Sequence, residues 1–229
     1  MNRLDWLKDR HKGGRCVLIA NGPSLNGMDL SFLNKQITIG LNKIYLGLNR
    51  FNFYPKYYVA INPTVIQQSI SEIKKLNCVK FLGNNGAQEL IKEDALTYLV
   101  NTQNPPARFC KNLSVGLHEG WTVTYAALQV AYYLGFYEVI IIGMDHHFIY
   151  SGKPNEAHVL EGADPNHFSD NYFGYSQQWD NPDLEKSEES YRMAKKAYEE
   201  EGRLILDATV DGKCNIFKKI DYQSYFGLK

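Results

Sequence analysis

Short runs of apolar residues recur along the chain and are the main sign of its architecture. The runs are continuous rather than alternating with polar residues, which is typical of strands in a sheet covered on both faces. The strongest run contains four consecutive β-branched residues at 139–142. The predicted strands lie at 16–20, 37–42, 57–62, 79–83, 96–100, 138–145 and 203–210.

Helical patterns separate several of these strands. Apolar residues spaced three or four apart predict helices over 65–76, 122–135 and 183–202, and the last two ranges end at a glycine. A charged stretch over 2–12 predicts a short amphipathic helix that ends at two glycines. Alternation of strands and helices predicts an α/β fold that is Rossmann-like, with a mainly parallel sheet flanked by helices in three layers (α/β/α).

One long stretch fits neither pattern. Residues 146–182, between the sixth strand and the last long helix, are rich in Gly, Asn, Asp and aromatic residues and show no clear period. A loop of this length in a compact domain is typical of a lid or a binding loop, and its aromatic residues favour an ordered one. We therefore predict a single domain over 1–229, with an N-terminal helical extension over 1–14 and a lid insertion over 146–182.

Composition narrows the range of partners. Lys and Arg number 25, as do Asp and Glu, so the formal net charge is +0 and no basic excess indicates nucleic acid. The four cysteines contain no CxxC pair, which favours a reducing compartment and disfavours a zinc ribbon. No apolar run approaches the ~20 residues of a membrane span. These features predict a cytoplasmic protein without a membrane span or a nucleic-acid partner.

Polar residues follow several of the predicted strands. In open parallel sheets, ligands bind at the carboxyl ends of the strands. Neutral amide and hydroxyl groups suit a ribose, a sugar or a phosphate. Each Asn alone is explained by turn formation, but three strand ends together favour a binding site. The residues in question are Asn21, Gly22, Pro23 and Ser24 after the first strand, Asn42 after the second, Asn62 after the third and Asp145 after the sixth.

Thr122 and Thr124 stand at the start of a predicted helix. Unpaired N–H groups and the helix dipole allow such a start to bind an anion. Capping of the helix by Thr122 is an equally good interpretation and is compatible with the first. The turn after the first strand is neither a GxGxxG fingerprint nor a P-loop, so these two motifs do not supply a phosphate site.

Histidines are the candidates for acid–base chemistry. His146 and His147 are adjacent after a strand and would point to opposite faces, so a shared metal ion is disfavoured and no metal site is predicted. A neutral imidazole takes a proton from a hydroxyl near pH 7, which makes His167 in the lid, or His147, a candidate general base. Covalent hydrolase motifs such as GxSxG and HExxH are absent from the sequence.

Four segments together resemble a known superfamily. NGPSL, GLNKIY, AINPT and TYAALQVAYYLGFYEVIIIGMD resemble the bacterial sialyltransferases of glycosyltransferase family 42 and the MptE-like domain family, which includes archaeal 6-hydroxymethylpterin pyrophosphokinases. The resemblance implies that the turn at 21–24 touches the nucleotide or its phosphate, that Asn42 and Asn62 contact the donor, and that the helix start at 122–124 lies near the donor. It also implies a functional acid at Asp145.

The chain departs from the sialyltransferase pattern in two places. Those enzymes have aromatic residues where His146 and His147 stand here. Their catalytic histidine lies in a lid sequence resembling HYIGHS, whereas this chain has NYFGYS, which puts Tyr175 in that place. The lid has His167 a few residues earlier, so the resemblance leaves two choices: His167 has taken the role of base, or the sialyltransferase mechanism does not apply.

Three functions are compatible with these residues. The first is transfer from a nucleotide-activated substrate, such as a CMP-sugar, to a glycan hydroxyl in surface-glycan assembly, with no cofactor required. The second is an MptE-like pyrophosphokinase that uses ATP and Mg²⁺, with Asp145 and either Asp164 or Asp170 near the phosphates. The third is a non-catalytic nucleotide- or glycan-binding module. The sequence leaves open whether the protein forms a homo-oligomer.

Overall fold

The computed structural model describes residues 3–103 and 108–228. Its strands are β1 (Arg15–Ile19), β2 (Thr38–Leu41), β3 (Tyr57–Ala60), β4 (Val79–Gly83), β5 (Thr97–Val100), β6 (Thr102–Gln103), β7 (Leu117–His118), β8 (Glu138–Ile142), β9 (Ala157–Leu160), β10 (Gln177–Asp180), β11 (Leu204–Asp207) and β12 (Lys218–Lys219). Eight of them form one parallel sheet in the order β12-β11-β8-β1-β2-β3-β4-β5. The protein is therefore an α/β protein of the Rossmann-like kind.

Helices and 3₁₀ turns connect the strands. The α-helices are α1 (Leu48–Phe51), α2 (Pro63–Lys75), α3 (Asn84–Ala87), α4 (Val123–Tyr133), α5 (Leu184–Glu199) and α6 (Tyr222–Phe226). The 3₁₀ helices are Arg3–Leu7, Pro23–Gly27, Ser31–Lys35 and Asn42–Gly47.

The seven predicted strands are all present in the large sheet, within a few residues of their predicted ends. Its eighth strand, β12, was not predicted, because its two lysines are exposed at the edge of the sheet and give no apolar run. The short amphipathic helix predicted over 2–12 is present in the described part as the shorter 3₁₀ helix Arg3–Leu7, which is followed by turns. Residues 1, 2, 104–107 and 229 of the predicted domain lie outside the described residues.

Successive residues of β8 pack on opposite faces of the sheet. Val139 and Ile141 belong to the core cluster that includes α4 and α5, whereas Ile140 and Ile142 belong to the cluster that includes α2 and α6. All four side chains are 0 % exposed. Burying one such side chain stabilises the fold by about 1.5–3 kcal/mol. Helices therefore cover both faces, and the predicted three-layer arrangement is confirmed.

The direction in which strands are added reverses at β1. The chain adds β2 to β5 on one side of β1, while β8, β11 and β12 lie on the other side. In open α/β sheets the crevice at the carboxyl ends of the strands on either side of such a reversal is the usual place for a ligand. The residues that follow β1 and β8 therefore occupy the position where a ligand site is expected.

The segment 146–182 folds against this edge of the sheet. It contains an antiparallel hairpin of β9 and β10, a regular element that its sequence did not reveal. Four aromatic side chains of the segment are buried, namely Phe168, Tyr172, Phe173 and Trp179. Its two ends are held together by Asn181, whose Nδ2 donates to the carbonyl oxygens of Ser151 (2.7 Å) and Lys153 (2.9 Å). We call this segment the lid.

Candidate functional site

A central cavity lies at the carboxyl ends of β1 and β8, at the reversal point of the sheet. It encloses about 670 Å³, including the space at its mouth, which is within the range of small-molecule sites. Residues of α5 and four other parts of the chain line this cavity. These four parts are the residues after β1 (20–22), the start of α4 (121–124), the residues after β8 (143–148) and lid residues 166 and 167.

Asp145 and Ser24 form the floor between the two strands. The hydroxyl of Ser24 donates to Oδ1 of Asp145, and its backbone N–H donates to Oδ2 over 2.9 Å. Both hydrogen-bond donors of Ser24 are thus bonded to a carboxylate. Gly22 makes this pairing possible, since a Cβ at that position would lie 2.1 Å from Oδ1 of Asp145. Pro23 starts the 3₁₀ turn that carries Ser24.

Asn21 connects the floor of the cavity to the lid. Its carbonyl oxygen accepts a hydrogen bond from the backbone N–H of Phe168 over 2.9 Å. Its side chain lines the central cavity, and its buried Oδ1 has no partner in the described structure. A buried acceptor without a partner is costly, and a ligand donor would remove that cost. Asn21 therefore fits the predicted binding role better than Ser24 does.

The start of α4 forms another wall. The predicted N-cap is confirmed: Oγ1 of Thr122 accepts from the backbone N–H of Thr124 over 3.3 Å and also lies 3.3 Å from the hydroxyl of Tyr191. Backbone N–H groups in the first turn of a helix have no intrahelical backbone partner. The cap takes the N–H of Thr124 and leaves that of Val123, which also lines the cavity. Anion binding at this helix start remains a prediction.

The three strand-end asparagines do not converge on one cavity. Asn62 caps α2 by accepting from Val65 N–H over 3.2 Å, and it lines a second cavity on the other side of the start of α4. Asn42 lines none of the cavities found in the described part of the chain, and its buried Oδ1 has no partner there. Of the three, only Asn21 lies in the central cavity.

His167 is held in the central cavity by Asp164, and we call this pair the dyad. Nδ1 of His167 lies 2.8 Å from Oδ2 of Asp164, and its ring stacks on Tyr172 with 3.8 Å between centroids and 2° between planes. Because an ionised carboxylate only accepts hydrogen bonds, Nδ1 carries the proton of the neutral ring. Nε2 is then left with a free lone pair, which is what a general base requires.

The surroundings of Asp164 keep it ionised. Burial alone would raise the pKa of this carboxyl, but hydrogen bonds from His167 and from the backbone N–H groups of Asn166 (2.8 Å) and Phe173 (3.1 Å) outweigh burial and lower its pKa. An ionised Asp164 both orients His167 and stabilises the imidazolium that forms when Nε2 takes a proton. Proton transfer to His167 is therefore the chemistry that this arrangement supports.

Lys43 lies beneath the lid and is 2 % exposed. Its Nζ donates to the carbonyl oxygen of Tyr172 over 2.7 Å and to the side-chain oxygens of Gln177 and Gln68. Burial lowers the pKa of Lys43 to about 8, although the charge of Asp164 opposes the shift. This buried lysine fixes the part of the lid on which His167 stacks.

The other candidate catalytic residues have different positions. His147 is exposed and lies where the central cavity meets a neighbouring one. His146 lines the central cavity, and its Nε2 lies 3.2 Å from Oε1 of Glu188. The structure does not bring Tyr175 to the central cavity: its side chain is 62 % exposed, and it lines neither that cavity nor the second one. The change from His to Tyr thus falls at a surface position.

Two residues of the site escaped the sequence reasoning. Trp121 lies between the central and second cavities and lines both, with a φ of 61° that is rare for a bulky residue. Asp164 was considered only as a magnesium ligand, although its spacing of three from His167 was a usable signal. Among residues 3–103 and 108–228, no group of three or more His, Cys, Asp or Glu side chains is placed to hold a metal ion.

Comparison with known proteins gives the family. The family model described as 6-hydroxymethylpterin diphosphokinase MptE-like matches residues 2–151. The chain belongs to the MptE-like family. The match covers both strands that border the central cavity and the start of α4, and it ends before the dyad. No curated protein matches the chain.

A solved structure agrees with the fold. The MAf glycosyltransferase from Magnetospirillum magneticum AMB-1 is similar over 98% of this chain, with a TM-score of 0.57 and 14% sequence identity. The chain spans 38% of the length of that protein. At this identity the similarity shows the fold. Within the described residues, no helix is both long and apolar enough to cross a membrane.

Proposed function

We propose that this protein is a transferase that moves a group from a nucleotide-activated substrate to a hydroxyl acceptor, in the manner of a sialyltransferase-like glycosyltransferase of surface-glycan assembly. The observation that carries the proposal is the dyad, because the bond from Nδ1 to Asp164 leaves Nε2 of His167 available to take a proton in a cavity at the reversal point of the sheet. The similarity to a protein named as a glycosyltransferase supports the same class.

The residues divide the reaction between them. Nε2 of His167 takes the proton of the acceptor hydroxyl, and the carboxylate of Asp164 stabilises the resulting imidazolium. The phosphate of the leaving nucleotide gains negative charge and lies against the start of α4, where the helix dipole and the N–H group of Val123 stabilise it. Asn21 accepts a hydrogen bond from the donor substrate. A nucleoside monophosphate leaving group needs less neutralisation than a diphosphate, so we propose that no metal ion is required.

The family match favours a second candidate, the pyrophosphokinase that uses ATP and Mg²⁺. The carboxylates considered for magnesium do not fit that role well. Both oxygens of Asp145 accept from Ser24, Asp164 accepts three hydrogen bonds from the lid, and Asp170 is exposed. Ligation of a cation by these residues would break bonds that hold the floor and the dyad, so we derive no step through magnesium.

Nucleotide binding separates the two candidates. We expect CMP without metal to raise the unfolding temperature, since a ligand at 100 times its Kd adds about 2.7 kcal/mol of stability. Thermal-shift measurements with CMP, UDP, GDP and ATP, each with and without MgCl₂, give the answer. If ATP together with MgCl₂ is the only combination that stabilises the protein, the result supports the pyrophosphokinase and rejects the first proposal.

Turnover tests the base. With CMP-N-acetylneuraminate or UDP-glucose as donor, chosen by the nucleotide that binds, His167→Gln should lower kcat by about 10²–10⁴-fold while the nucleotide Kd stays the same. Tyr175→Phe is the matched control, because this exposed residue occupies the place of the sialyltransferase histidine in the sequence. Unchanged kcat in His167→Gln would contradict the assignment of the base. Nucleotide binding by a wild-type protein without turnover would support a non-catalytic binding module.

A further inference from the structure

The second cavity lies next to the central one and shares part of its wall. Trp121, Thr122, Val123 and Pro182 line both cavities. Two ligands, one in each cavity, would therefore meet at the start of α4, where the proposed leaving phosphate lies. This proximity is what a two-substrate enzyme needs, because the reacting atoms of donor and acceptor must come within about 3–3.5 Å of each other.

The charge of the second cavity differs from that of an anion site. Glu119, Asp180 and Asp183 line it, and none of the described lining residues is Lys, Arg or His. Three carboxylates without a basic partner repel phosphates and carboxylates. Nucleotide phosphates are thus disfavoured here, and a ligand rich in neutral hydroxyl groups suits the carboxylate acceptors.

Asn181 gives an independent sign of a missing ligand donor. This residue lines the second cavity, is 2 % exposed, and has an Oδ1 without a hydrogen-bond partner in the described structure. The amide cannot simply be flipped, because its Nδ2 already donates to the carbonyl oxygens of Ser151 and Lys153. A buried acceptor of fixed orientation therefore awaits a donor such as a hydroxyl group.

Trp121 completes the site. Positive φ is a strained conformation for a tryptophan, and such strain is typical of ligand clamps and active sites. Trp121 lines both cavities and so forms part of the wall that they share. An indole offers a broad apolar face beside the polar groups of Asn181 and Glu119. The apolar face of a sugar ring together with its hydroxyl edge matches this combination.

We propose that the second cavity is the acceptor site and that it takes an uncharged, polyhydroxylated ligand, a neutral sugar unit. The assignment as acceptor site rests on the proposed function. The recognition elements are the indole of Trp121, the carboxylates of Glu119 and Asp180, and the unpaired Oδ1 of Asn181.

Binding of neutral methyl glycosides tests the inference directly. Methyl β-D-galactopyranoside, methyl α-D-glucopyranoside and methyl N-acetyl-β-D-glucosaminide are titrated by saturation-transfer NMR, with glucose 6-phosphate and glucosamine as charged controls. We expect at least one neutral glycoside to bind, glucose 6-phosphate to bind more weakly, and the double variant Glu119→Gln/Asp180→Asn to reduce this preference. Absence of binding by every neutral glycoside, or a preference for either charged control, overturns the proposal.

Variants locate the bound glycoside. Trp121→Gly should weaken its binding by about ten-fold, and because glycine adopts positive φ readily the variant keeps the native turn. Trp121→Ala, checked by its unfolding curve, gives a second measurement. Tyr175→Phe, at an exposed position outside both cavities, should leave glycoside binding unchanged. Equal glycoside affinity in wild type and Trp121→Gly overturns the proposed site.

The outcomes distinguish this inference from the proposed function. Glycoside binding that depends on Trp121, in a protein that binds no nucleotide, supports the sugar site and rejects the transferase. Nucleotide binding and a His167-dependent turnover, in a protein that binds no glycoside, support the transferase and reject the sugar site.

Discussion

The parallel sheet and the lid are stabilised in different ways. The central strand β8 is held by apolar side chains that are 0 % exposed on both faces of the sheet. The lid also buries aromatic rings, but its path is set by buried polar groups. Asp164 accepts three hydrogen bonds within the lid. Lys43 of the main body donates to the carbonyl oxygen of Tyr172 in the lid. The apolar sheet fixes where the cavity is, and the polar lid determines which group faces it.

This difference has an energetic consequence. Loss of a buried apolar side chain removes packing and leaves a cavity, which lowers stability. Loss of one member of a buried polar network removes the hydrogen bonds that orient its neighbours. Changes in the sheet should therefore act on the stability of the whole domain. Changes in the lid should act on the orientation of His167 and on activity. Three substitutions test that contrast.

The largest effect on stability is expected from Ile141→Ala in β8. Removal of a fully buried isoleucine side chain should lower the free energy of unfolding by about 2–5 kcal/mol, because it leaves a cavity between the sheet and α4. Urea unfolding measures this change. Val159→Ala is the matched control on the lid hairpin, where the side chain is 58 % exposed, and it should change stability by less than about 0.5 kcal/mol. Equal losses in the two variants would contradict the contrast.

Asp164→Asn should affect turnover more than folding. An amide carries no charge to stabilise the imidazolium, so we expect kcat to fall by about 100-fold or more, with KM nearly constant. Ring ¹⁵N chemical shifts of His167 should show a changed tautomer population, which a purely structural role would not produce. Asp170→Asn removes an exposed carboxylate of the same lid and serves as control. Wild-type kcat and ring shifts in Asp164→Asn would exclude the dyad.

The buried Lys43 should have a smaller effect on stability, and this effect should depend on pH. Its pKa in the folded protein is about 8, below its ordinary value of 10.5, so the unfolded chain binds more protons between these values. Stability from this group therefore rises as the pH increases through 8. Between pH 7.5 and 9 the wild type should gain up to about 1 kcal/mol relative to Lys43→Met. Urea unfolding at both pH values measures the difference, and the exposed Lys196→Met should follow the wild type. If Lys43→Met shows the same increase in stability between the two pH values, this lysine is not the source of the increase.

The sheet was largely predictable because each strand buried on both faces leaves a continuous apolar run. The exposed pair Lys218–Lys219 has no such run, and β12 was missed for that reason. Asn21 and Asp145 were placed correctly at the strand ends, but the sequence could not show that Ser24 spends both donors on Asp145. That pairing depends on the approach of two segments 121 residues apart.

The lid was the least predictable part. His167 was a candidate base from its residue type alone, whereas its partner Asp164 and its stacking on Tyr172 depend on how an aperiodic segment folds. The choice of Tyr175 followed a resemblance between short sequences, and the structure places that side chain outside the cavities. Trp121 had no sequence signal beyond the preceding glycine. The positive φ of Trp121 is a property of the folded chain and could not be predicted from the sequence.

The hydrogen bonds by which Asn181 joins the two ends of the lid have a consequence for how the lid can change. Because this side chain binds the carbonyl oxygens of Ser151 and Lys153, the two ends of the lid leave the main body side by side. A segment with adjacent ends can be lengthened, shortened or exchanged without moving the strands that carry it, at a closure cost that grows only slowly with length. The family match itself ends at residue 151, where this segment starts to leave the body. Exchange of this one segment would therefore change the group that faces the central cavity and leave the sheet intact.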